Sequence, residues 1–264
     1  MFAAVRRPSR LPEVWRCIRR IDDWPAIVPA YVGLRSAPLP LKTHTRAGTA
    51  LDLEEFYDIE TLWQIYCREV YDVRPDDRVI IDAGANIGLF ACYAAAVAPR
   101  AQIHAVEPFP RTFERLRVAV ERNGLGGRVT CHPIALSASV GAGTMRASAA
   151  ASQMFHLAGP GDVPTAGGVP VRTTTLEAVL DETAVPSIDL LKMDIEGLEY
   201  EVLLSAPRGV LRRIRRVNVE FHRAPAGQGD AAALVRHFAS AGFSAREHLP
   251  ALGEYGILHF TKCP

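Results

Sequence analysis

The chain has 264 residues and a formal net charge of +1, so it is long enough for one α/β domain with additions or for two small domains. The near-zero charge argues against a nucleic-acid-binding protein. Five scattered cysteines without C-x-x-C spacing predict a reducing compartment and argue against structural zinc. Residues 1–10 lack the apolar core of a signal peptide, and no apolar run is long enough to span a membrane. We therefore expect a cytoplasmic protein.

Residues 1–50 are rich in arginine and proline, and they are predicted to form an extension ahead of a main domain over 51–264. Apolar residues at helical spacing predict a helix over 11–21. The prolines between Pro25 and Pro40 then argue against further regular structure in the extension. The extension is expected to pack on the domain or to cap its site.

Arginine dominates the charge of the first 20 residues. Six arginines stand against one acid, Glu13, and they are Arg6, Arg7, Arg10, Arg16, Arg19 and Arg20. Such a cluster is either a solvated face or a contact for an anionic substrate, carrier or lipid headgroup. A peripheral membrane contact and a homodimer contact through this segment therefore both remain open.

The segment from Val79 to Phe90 predicts a buried strand that runs into a glycine-rich turn and a helix. Its β-branched start is typical of a central parallel strand covered on both faces. Gly84 and Gly88 permit a tight turn and a close approach of the backbone to a ligand. The helix over 89–97 directs its free amide groups at the same place. The segment therefore predicts a cofactor site at the carboxyl edge of a sheet.

The spacing of residues in this turn indicates which cofactor binds. Asp82, Gly84, Asn86 and Gly88 follow the order D-x-G-x-N-x-G, which departs from the dinucleotide fingerprint G-x-G-x-x-G. An acid in the turn also repels a pyrophosphate and suits a ligand with an amino or sulfonium group. The pattern resembles the first motif of methyltransferases that depend on S-adenosylmethionine (SAM), so these four residues are predicted to bind the cofactor. The alternative is a strand-turn-helix with incidental glycines.

Strands and helices alternate after this turn. Further strands are predicted over 102–106, 128–134, 169–174, 188–193 and 216–221, and two closing strands over 243–249 and 256–261. The alternation predicts an α/β fold with a doubly wound, mostly parallel sheet, and the closing pair predicts an antiparallel C-terminal edge. An N-terminal helical extension is predicted to precede this sheet. Residues 138–168, rich in glycine, alanine and serine, interrupt the alternation and predict an irregular substrate loop or lid.

Acidic residues mark the carboxyl ends of predicted strands, where ligands bind in such sheets. Glu107 ends the second strand and is placed to accept hydrogen bonds from ribose hydroxyls, a role that would serve NAD as well as SAM. Asp194 and Glu196 follow a strongly apolar strand, and Glu220 and His222 stand at the end of the next one. Carboxylates packed this densely are costly unless they pair or bind something. These residues are therefore candidates for binding and catalysis.

The order of these motifs resembles the FkbM family of SAM-dependent O-methyltransferases. The supporting segments are D-L-L-K-x-D-x-E-G-x-E from Asp189, E-P at Glu107, A-L-S ending at Ser137, T-L-E-A-V-L from Thr175 and E-F-H ending at His222. The resemblance covers residues 57–222 and implies a Rossmann-like class I methyltransferase fold with SAM as the cofactor. It also implies cofactor contacts from Pro108, Ser137 and Asp194. The implied reaction is methylation of a hydroxyl on a sugar, glycoside or polyketide-like metabolite, which makes the partner a small-molecule or glycan acceptor.

An alcohol is a poor nucleophile until it loses its proton, and two routes to that loss are open. A base at Asp194, Glu196, Glu220 or His222 would accept the proton directly. Alternatively, Asp194, Glu220 and His222 come from two strand ends that are expected to be neighbours, and they would hold Mg²⁺, which acidifies a bound hydroxyl.

Three other functions compete with this interpretation. An NAD-type oxidoreductase is disfavoured because the dinucleotide fingerprint is missing. A nucleic-acid methyltransferase is disfavoured because the chain has neither an N-P-P-Y-like tetrapeptide nor an overall basic charge. A non-catalytic SAM-binding or scaffold protein would leave the acids at the strand ends idle.

Overall fold

Strands and helices alternate along most of the computed structural model, which describes residues 11–148, 151–157, 168–182, 186–222, 230–249 and 255–263. The N-terminal elements are α1 (Leu11–Arg20), α2 (Trp24–Tyr31), β1 (Leu41–His44), β2 (Ala50–Leu53), α3 (Phe56–Leu62) and a π-helical turn (Trp63–Arg68). Next come β3 (Val79–Ala83), α4 (Leu89–Val97), β4 (Gln102–Val106), α5 (Pro110–Arg122), β5 (Val129–His132), β6 (Ala135–Leu136), β7 (Gly141–Ser148), β8 (Ala151–Leu157) and β9 (Val169–Thr174). The chain continues with α6 (Leu176–Glu182), β10 (Ile188–Met193), α7 (Glu199–Ser205), α8 (Arg208–Arg212), β11 (Ile214–His222), α9 (Ala231–Ser240), β12 (Phe243–Leu249) and β13 (Tyr255–Lys262).

A seven-stranded sheet forms the centre of the protein, with the strand order β12-β13-β11-β10-β3-β4-β5. The five strands from β11 to β5 are parallel, whereas β13 runs antiparallel to both β11 and β12. The order reverses direction between β3 and β10, which places a crevice at their carboxyl ends. The predicted doubly wound sheet with an antiparallel C-terminal edge is confirmed.

Two apolar cores cover the two faces of this sheet. Successive residues of a central strand enter opposite cores, because side chains alternate along a strand. In β3, Ile80 packs with the N-terminal elements, α4 and α5, while Ile81 packs with α6 to α9. In β10, Leu190 and Leu191 divide in the same way, and all four side chains are fully buried. The apolar runs in the sequence therefore correspond to strands covered on both sides.

The N-terminal extension contains more regular structure than its prolines predict. The predicted first helix is confirmed as α1, but α2 spans two prolines, which corrects the expectation of an irregular segment. Pro25 lies in the first turn of α2, where a backbone amide is not needed. Pro29 lies inside the helix and leaves the carbonyl of Pro25 without its helical donor. The guanidinium of Arg35 donates to that carbonyl instead.

The extension shares a core with the rest of the chain. Cys17 and Ile27 belong to the same buried cluster as Trp63 and Phe90. The ring of Tyr31 stacks on Trp63 with centroids 4.0 Å apart, and the Trp63 indole donates to Glu13 at 2.7 Å. β1 and β2 lie on the two sides of the predicted boundary at residue 50 and pair with each other. The division into 1–50 and 51–264 stays a prediction.

The arginines near the N-terminus have different surroundings. Arg20 pairs with Glu69 at 2.7 Å, and Arg16 lies 3.6 Å from the same carboxylate. Arg19 is exposed, while Arg6, Arg7 and Arg10 lie outside the described residues. The membrane contact through this segment stays a prediction. Among the helices of the described ranges, none has both the length and the apolar character needed to cross a bilayer.

Residues 138–168 contain two strands, which corrects the prediction of an irregular stretch. β7 pairs antiparallel with β8 and β9, and β6 pairs in parallel with β9, so a second sheet forms in the order β6-β9-β7-β8. Glycine, alanine and serine produce no apolar alternation, and the strand pattern was therefore not visible in the sequence. Residues 149–150 and 158–167 lie outside the described residues. A role as a substrate lid stays a prediction.

Candidate active site

A pocket opens at the carboxyl ends of β3, β4, β10 and β11, where the strand order reverses. The turn after β3, the segment after β4 and the ends of β10 and β11 form its walls. The opposite side comes from α3 and the π-helical turn, through Tyr57, Thr61, Gln64 and Ile65, and Met145 of β7 also lines the pocket. The sheet therefore positions the acidic side chains, and the N-terminal elements close over them.

The turn after β3 depends on left-handed backbone conformations. Gly84 and Gly88 have φ values of +77° and +88°, and Asn86 has a φ of 48°. A Cβ on Gly84 would lie 1.7 Å from the backbone oxygen of Asp194, so β3 and β10 approach too closely there for any side chain. A Cβ on Gly88 would lie 2.9 Å from Leu116 of α5. The first glycine thus permits contact between strands, and the second permits contact between helices.

Glu107 lies at the end of β4 and helps to shape the pocket. Its carboxylate accepts hydrogen bonds from the backbone amides of Asn86 and Phe109, both at 2.9 Å. The residue is 7% exposed, and burial raises the pKa of its carboxyl group to about 7. Each oxygen keeps a second lone pair that a ligand hydroxyl can use. Glu107 and Pro108 both line the pocket, as the sequence predicts.

Asp82 lies behind the pocket wall rather than in it. Its side chain is fully buried, and Lys192 Nζ lies 3.1 Å from Asp82 Oδ1. Lys192 also donates to the carbonyl of Gly84 at 2.7 Å. Burial alone lowers the pKa of Lys192, but the charges of Asp82 and Asp194 outweigh it and raise that pKa. The Asp82–Lys192 pair therefore fixes the turn from behind.

The other predicted cofactor residues divide into two groups. Gly84, Asn86 and Asp194 line the pocket, whereas Gly88 packs against α5 outside it. Ser137 also stands away from the pocket lining, because its hydroxyl donates to Glu201 of α7 at 3.0 Å. The structure therefore brings Gly84, Asn86 and Asp194 together in the pocket and places Gly88 and Ser137 outside it.

An acidic cluster occupies the ends of β10 and β11. The two strands are parallel neighbours with Met193 opposite Val219, so Asp194 and Glu220 meet across the strand ends. One ligand atom from each of Asp194, Glu220 and His222 lies within 4.8 Å of the others. The predicted adjacency of the two strand ends is confirmed.

Glu199 connects this cluster to the start of α7. Its carboxylate accepts from the amides of Ile195 and Gly197 at 3.1 Å and lies 3.1 Å from His222 Nδ1. The other ring nitrogen of His222 lies 3.5 Å from Glu196, whose φ of 55° is rare for a residue with a side chain. One fully buried carboxylate therefore holds both the strained turn and the imidazole.

Burial and mutual charge shift the protonation of this cluster. Burial, followed by the charge of Asp194, raises the pKa of Glu196 to about 7 and that of Glu220 to about 8. Burial alone lowers the pKa of His222, but the contact with Glu199 and the charge of Asp194 raise it to about 10. At neutral pH His222 therefore carries a proton, Glu220 is mostly protonated, and Glu196 is protonated in about half of the molecules.

Three residues that contact this cluster were not among the site residues predicted from the sequence. Tyr57 donates to Glu196 at 3.4 Å, and Tyr71 donates to Glu220 at 3.2 Å. Both come from segments before β3 that carry no motif. Glu199 belongs to the D-x-E-G-x-E motif, but a carboxylate near a helix start is usually explained by the helix dipole alone.

The order of the strands, with the ligand crevice at the carboxyl ends of the parallel strands, is the fold of class I methyltransferases. The methyltransferase FkbM domain matches residues 82–245. The chain therefore belongs to the FkbM methyltransferase family and is a methyltransferase.

Named relatives match most of the chain. The 31-O-demethyl-FK506 methyltransferase FkbM of Streptomyces tacrolimicus is 30% identical over 220 residues, covering 73% of this chain and 82% of the relative. The hexuronic acid methyltransferase AglP of Haloferax volcanii is 29% identical over 212 residues, covering 78% and 82%. The crystal structure of methyltransferase FkbM from Methylobacillus flagellatus KT aligns with a TM-score of 0.50 at 14% identity, over 77% of this chain and 53% of that one. This last similarity supports the fold alone.

Proposed function

We propose that this protein transfers a methyl group from SAM to a hydroxyl of a sugar, glycoside or polyketide-like metabolite. The observation that carries the proposal is the convergence of Glu107, Asp194, Glu196 and Glu220 in one pocket at the strand ends. Relatives named for a hexuronic acid and for 31-O-demethyl-FK506 support a hydroxyl-bearing small molecule or glycan as the acceptor.

The pocket fits SAM through its donors and its charge. Asp194 Oδ1 is buried with no hydrogen-bond partner among the described residues, and such an acceptor suits an ammonium group or a hydroxyl. The acidic lining suits a ligand that carries a sulfonium and an ammonium. We infer that Gly84, Asn86, Glu107 and Pro108 hold SAM, with Glu107 accepting from the ribose hydroxyls.

The chain itself must position the acceptor and take its proton. SAM, when bound, supplies an electrophilic methyl group. For transfer to occur, the pocket would have to hold the acceptor oxygen close to that methyl group and in line with the departing sulfur. As the methyl group passes from sulfur to the acceptor oxygen, the hydroxyl proton would go to the carboxylate of Asp194 or to unprotonated Glu196, and Glu220 would serve as a base only where it is ionised. Tyr57 and His222 contact Glu196 and keep it in the pocket.

Replacing Asp194 with asparagine should separate binding from transfer. We expect Asp194→Asn to retain SAM binding within about tenfold and to lower turnover by about a hundredfold, since the amide cannot accept the proton. Isothermal titration with SAM measures the first quantity, and label transfer from methyl-labelled SAM to a panel of hydroxyl compounds measures the second.

The matched control is Asp189→Asn, at the opposite end of the same strand, where the carboxylate caps the amides of Arg78 and Val79. It should keep both SAM binding and turnover. A scaffold protein would bind SAM and methylate nothing in the panel. A nicotinamide enzyme would bind NAD in preference to SAM.

Mg²⁺ at Asp194, Glu220 and His222 stays a prediction. Two carboxylates and an imidazole in reach of one another fit a divalent cation, and the Glu199 contact leaves His222 Nε2 as the ligand atom. The raised pKa of His222, caused chiefly by Glu199, opposes it. A metal-dependent enzyme should lose turnover in EDTA and regain it with added Mg²⁺, whereas full activity in EDTA excludes the site.

A cytoplasmic location and a homodimer are also parts of this proposal. The five cysteines are free, and Cys17, Cys67 and Cys92 are buried, which is consistent with a reducing compartment. Gel filtration with light scattering tests the dimer.

A further inference from the structure

Carboxylates outnumber cations around the pocket. Glu107, Asp194, Glu196 and Glu220 all line it, and Lys192 is the only lysine or arginine among the described residues that does. A ligand that enters the pocket therefore meets mainly negative charge.

The two cations next to these acids already have partners. Lys192 lies 3.1 Å from Asp82 and donates to the carbonyl of Gly84. His222 lies 3.1 Å from Glu199, which is fully buried. Neither cation is therefore available to neutralise an anionic ligand, and among the described residues no other lysine or arginine lines the pocket beside the four carboxyl groups.

Bound SAM would neutralise only part of the negative charge of the lining. Its sulfonium and ammonium groups carry two positive charges against one carboxylate, so it contributes one net positive charge. Glu196 and Glu220 line the same pocket. A second anion placed beside them would be desolvated, and the described residues of the lining offer it no free cation, which makes its binding costly.

The remaining wall offers uncharged contacts. Tyr57, Thr61, Gln64 and Ile65 project from α3 and the π-helical turn, and Tyr71 and Phe90 add aromatic surface. Hydroxyl and amide groups beside aromatic rings suit a neutral polyol.

The geometry points to an acceptor whose reacting portion is a neutral or amino-substituted polyol rather than one that carries a carboxylate or phosphate next to the reacting hydroxyl. This inference rests on the proposed function and narrows its substrate class. A neutral sugar or an amino sugar meets the condition and a uronic acid does not, so this chain is expected to differ in acceptor from its relative named for a hexuronic acid.

Three matched glycosides test the inference: methyl glucoside, methyl glucosaminide and methyl glucuronoside. Each is assayed as a methyl acceptor with SAM. Each is also titrated by ligand-observed NMR against protein loaded with S-adenosylhomocysteine, so that the comparison does not depend on turnover. We expect the glucuronoside to bind at least about tenfold more weakly than the glucoside, and the glucosaminide to bind at least as well as the glucoside.

A charge variant identifies the cause. Glu196→Gln should reduce the ratio of the dissociation constants of glucuronoside and glucoside about fivefold. Glu121→Gln, on the exposed surface of α5, should leave that ratio unchanged. Equal or tighter binding of the glucuronoside, its preferential methylation, or failure of both other glycosides to bind overturns the inference. The proposed function is judged separately by SAM binding and by transfer to any hydroxyl, so an enzyme that prefers uronic acids would refute only the charge rule.

Discussion

Replacing Gly84 with alanine is expected to abolish SAM binding and to lower the free energy of unfolding by about 4 kcal/mol or more. The added Cβ would lie 1.7 Å from the backbone oxygen of Asp194 and 2.7 Å from its carbonyl carbon, and backbone atoms cannot move aside as a side chain can. The Asp194 amide also donates to Ala83 at 3.0 Å, so any relief separates β3 from β10 at the pocket. Urea unfolding followed by circular dichroism measures the stability, and calorimetry measures the binding.

Gly124→Ala separates the clash from the cost of the backbone conformation. Gly124 also has a positive φ, of +64°, but no atom lies within 4 Å of the position of its Cβ. The strain of a left-handed alanine alone costs about 1–2 kcal/mol, and SAM binding should persist because Gly124 follows α5 far from the lining residues. Equal losses in the two variants would show that the contact between β3 and β10 is not the reason for Gly84.

The sequence predicts the half of the site that depends on local pattern. A strand, its terminal acid and the following turn lie within a few residues of one another, so Gly84 and Glu107 could be placed from the strand pattern. Asn86 needed the resemblance of the turn to a methyltransferase motif. The adjacency of Asp194 and Glu220 needed one further rule, namely that parallel strands end at a common edge. Both predictions concern the backbone, and the backbone follows apolar periodicity.

Contacts between distant segments could not be predicted in this way. Tyr57 reaches Glu196 across 139 positions of sequence, and Tyr71 reaches Glu220 across 149. Neither tyrosine lies in a pattern that distinguishes it from a core aromatic residue. Asp82 shows the opposite error. Its motif predicted contact with a ligand, but its carboxylate pairs with Lys192 on the neighbouring strand. Side-chain partners across a sheet depend on register, which short motifs do not report.

Glu199→Gln is expected to lower the free energy of unfolding by about 2–3 kcal/mol, because it leaves protonated, partly buried His222 without its closest charge partner. The same change weakens the carboxylate contacts to the amides of Ile195 and Gly197 and so loosens the turn that presents Glu196. Turnover should fall together with stability, since Glu199 positions Glu196 and His222 of the acidic cluster. Glu201→Gln is the matched control on the same helix. Its carboxylate accepts hydrogen bonds from Ser137 and Ala138, and its loss should cost about 1 kcal/mol or less.

The pH dependence of stability distinguishes this pairing from ordinary packing. The pKa of His222 rises from 6.5 to about 10 on folding, so the folded protein binds more protons, and the stability from this group is complete below pH 6.5 and lost as pH rises through 10. Glu196 and Glu220 rise from 4.5 to about 7 and about 8, so they too favour the folded state at low pH, but their contribution changes little above pH 8. Between pH 8 and 10 the wild type should therefore lose about 2 kcal/mol through His222. Buried thiols and phenols whose pKa is raised also lower stability over this range, so the difference between variants is the quantity to measure. In urea titrations at a series of pH values, the wild type and Glu201→Gln should each lose about 2 kcal/mol more than Glu199→Gln between pH 8 and 10. An unchanged slope in Glu199→Gln would mean that Glu199 supports the turn but does not hold the proton on His222.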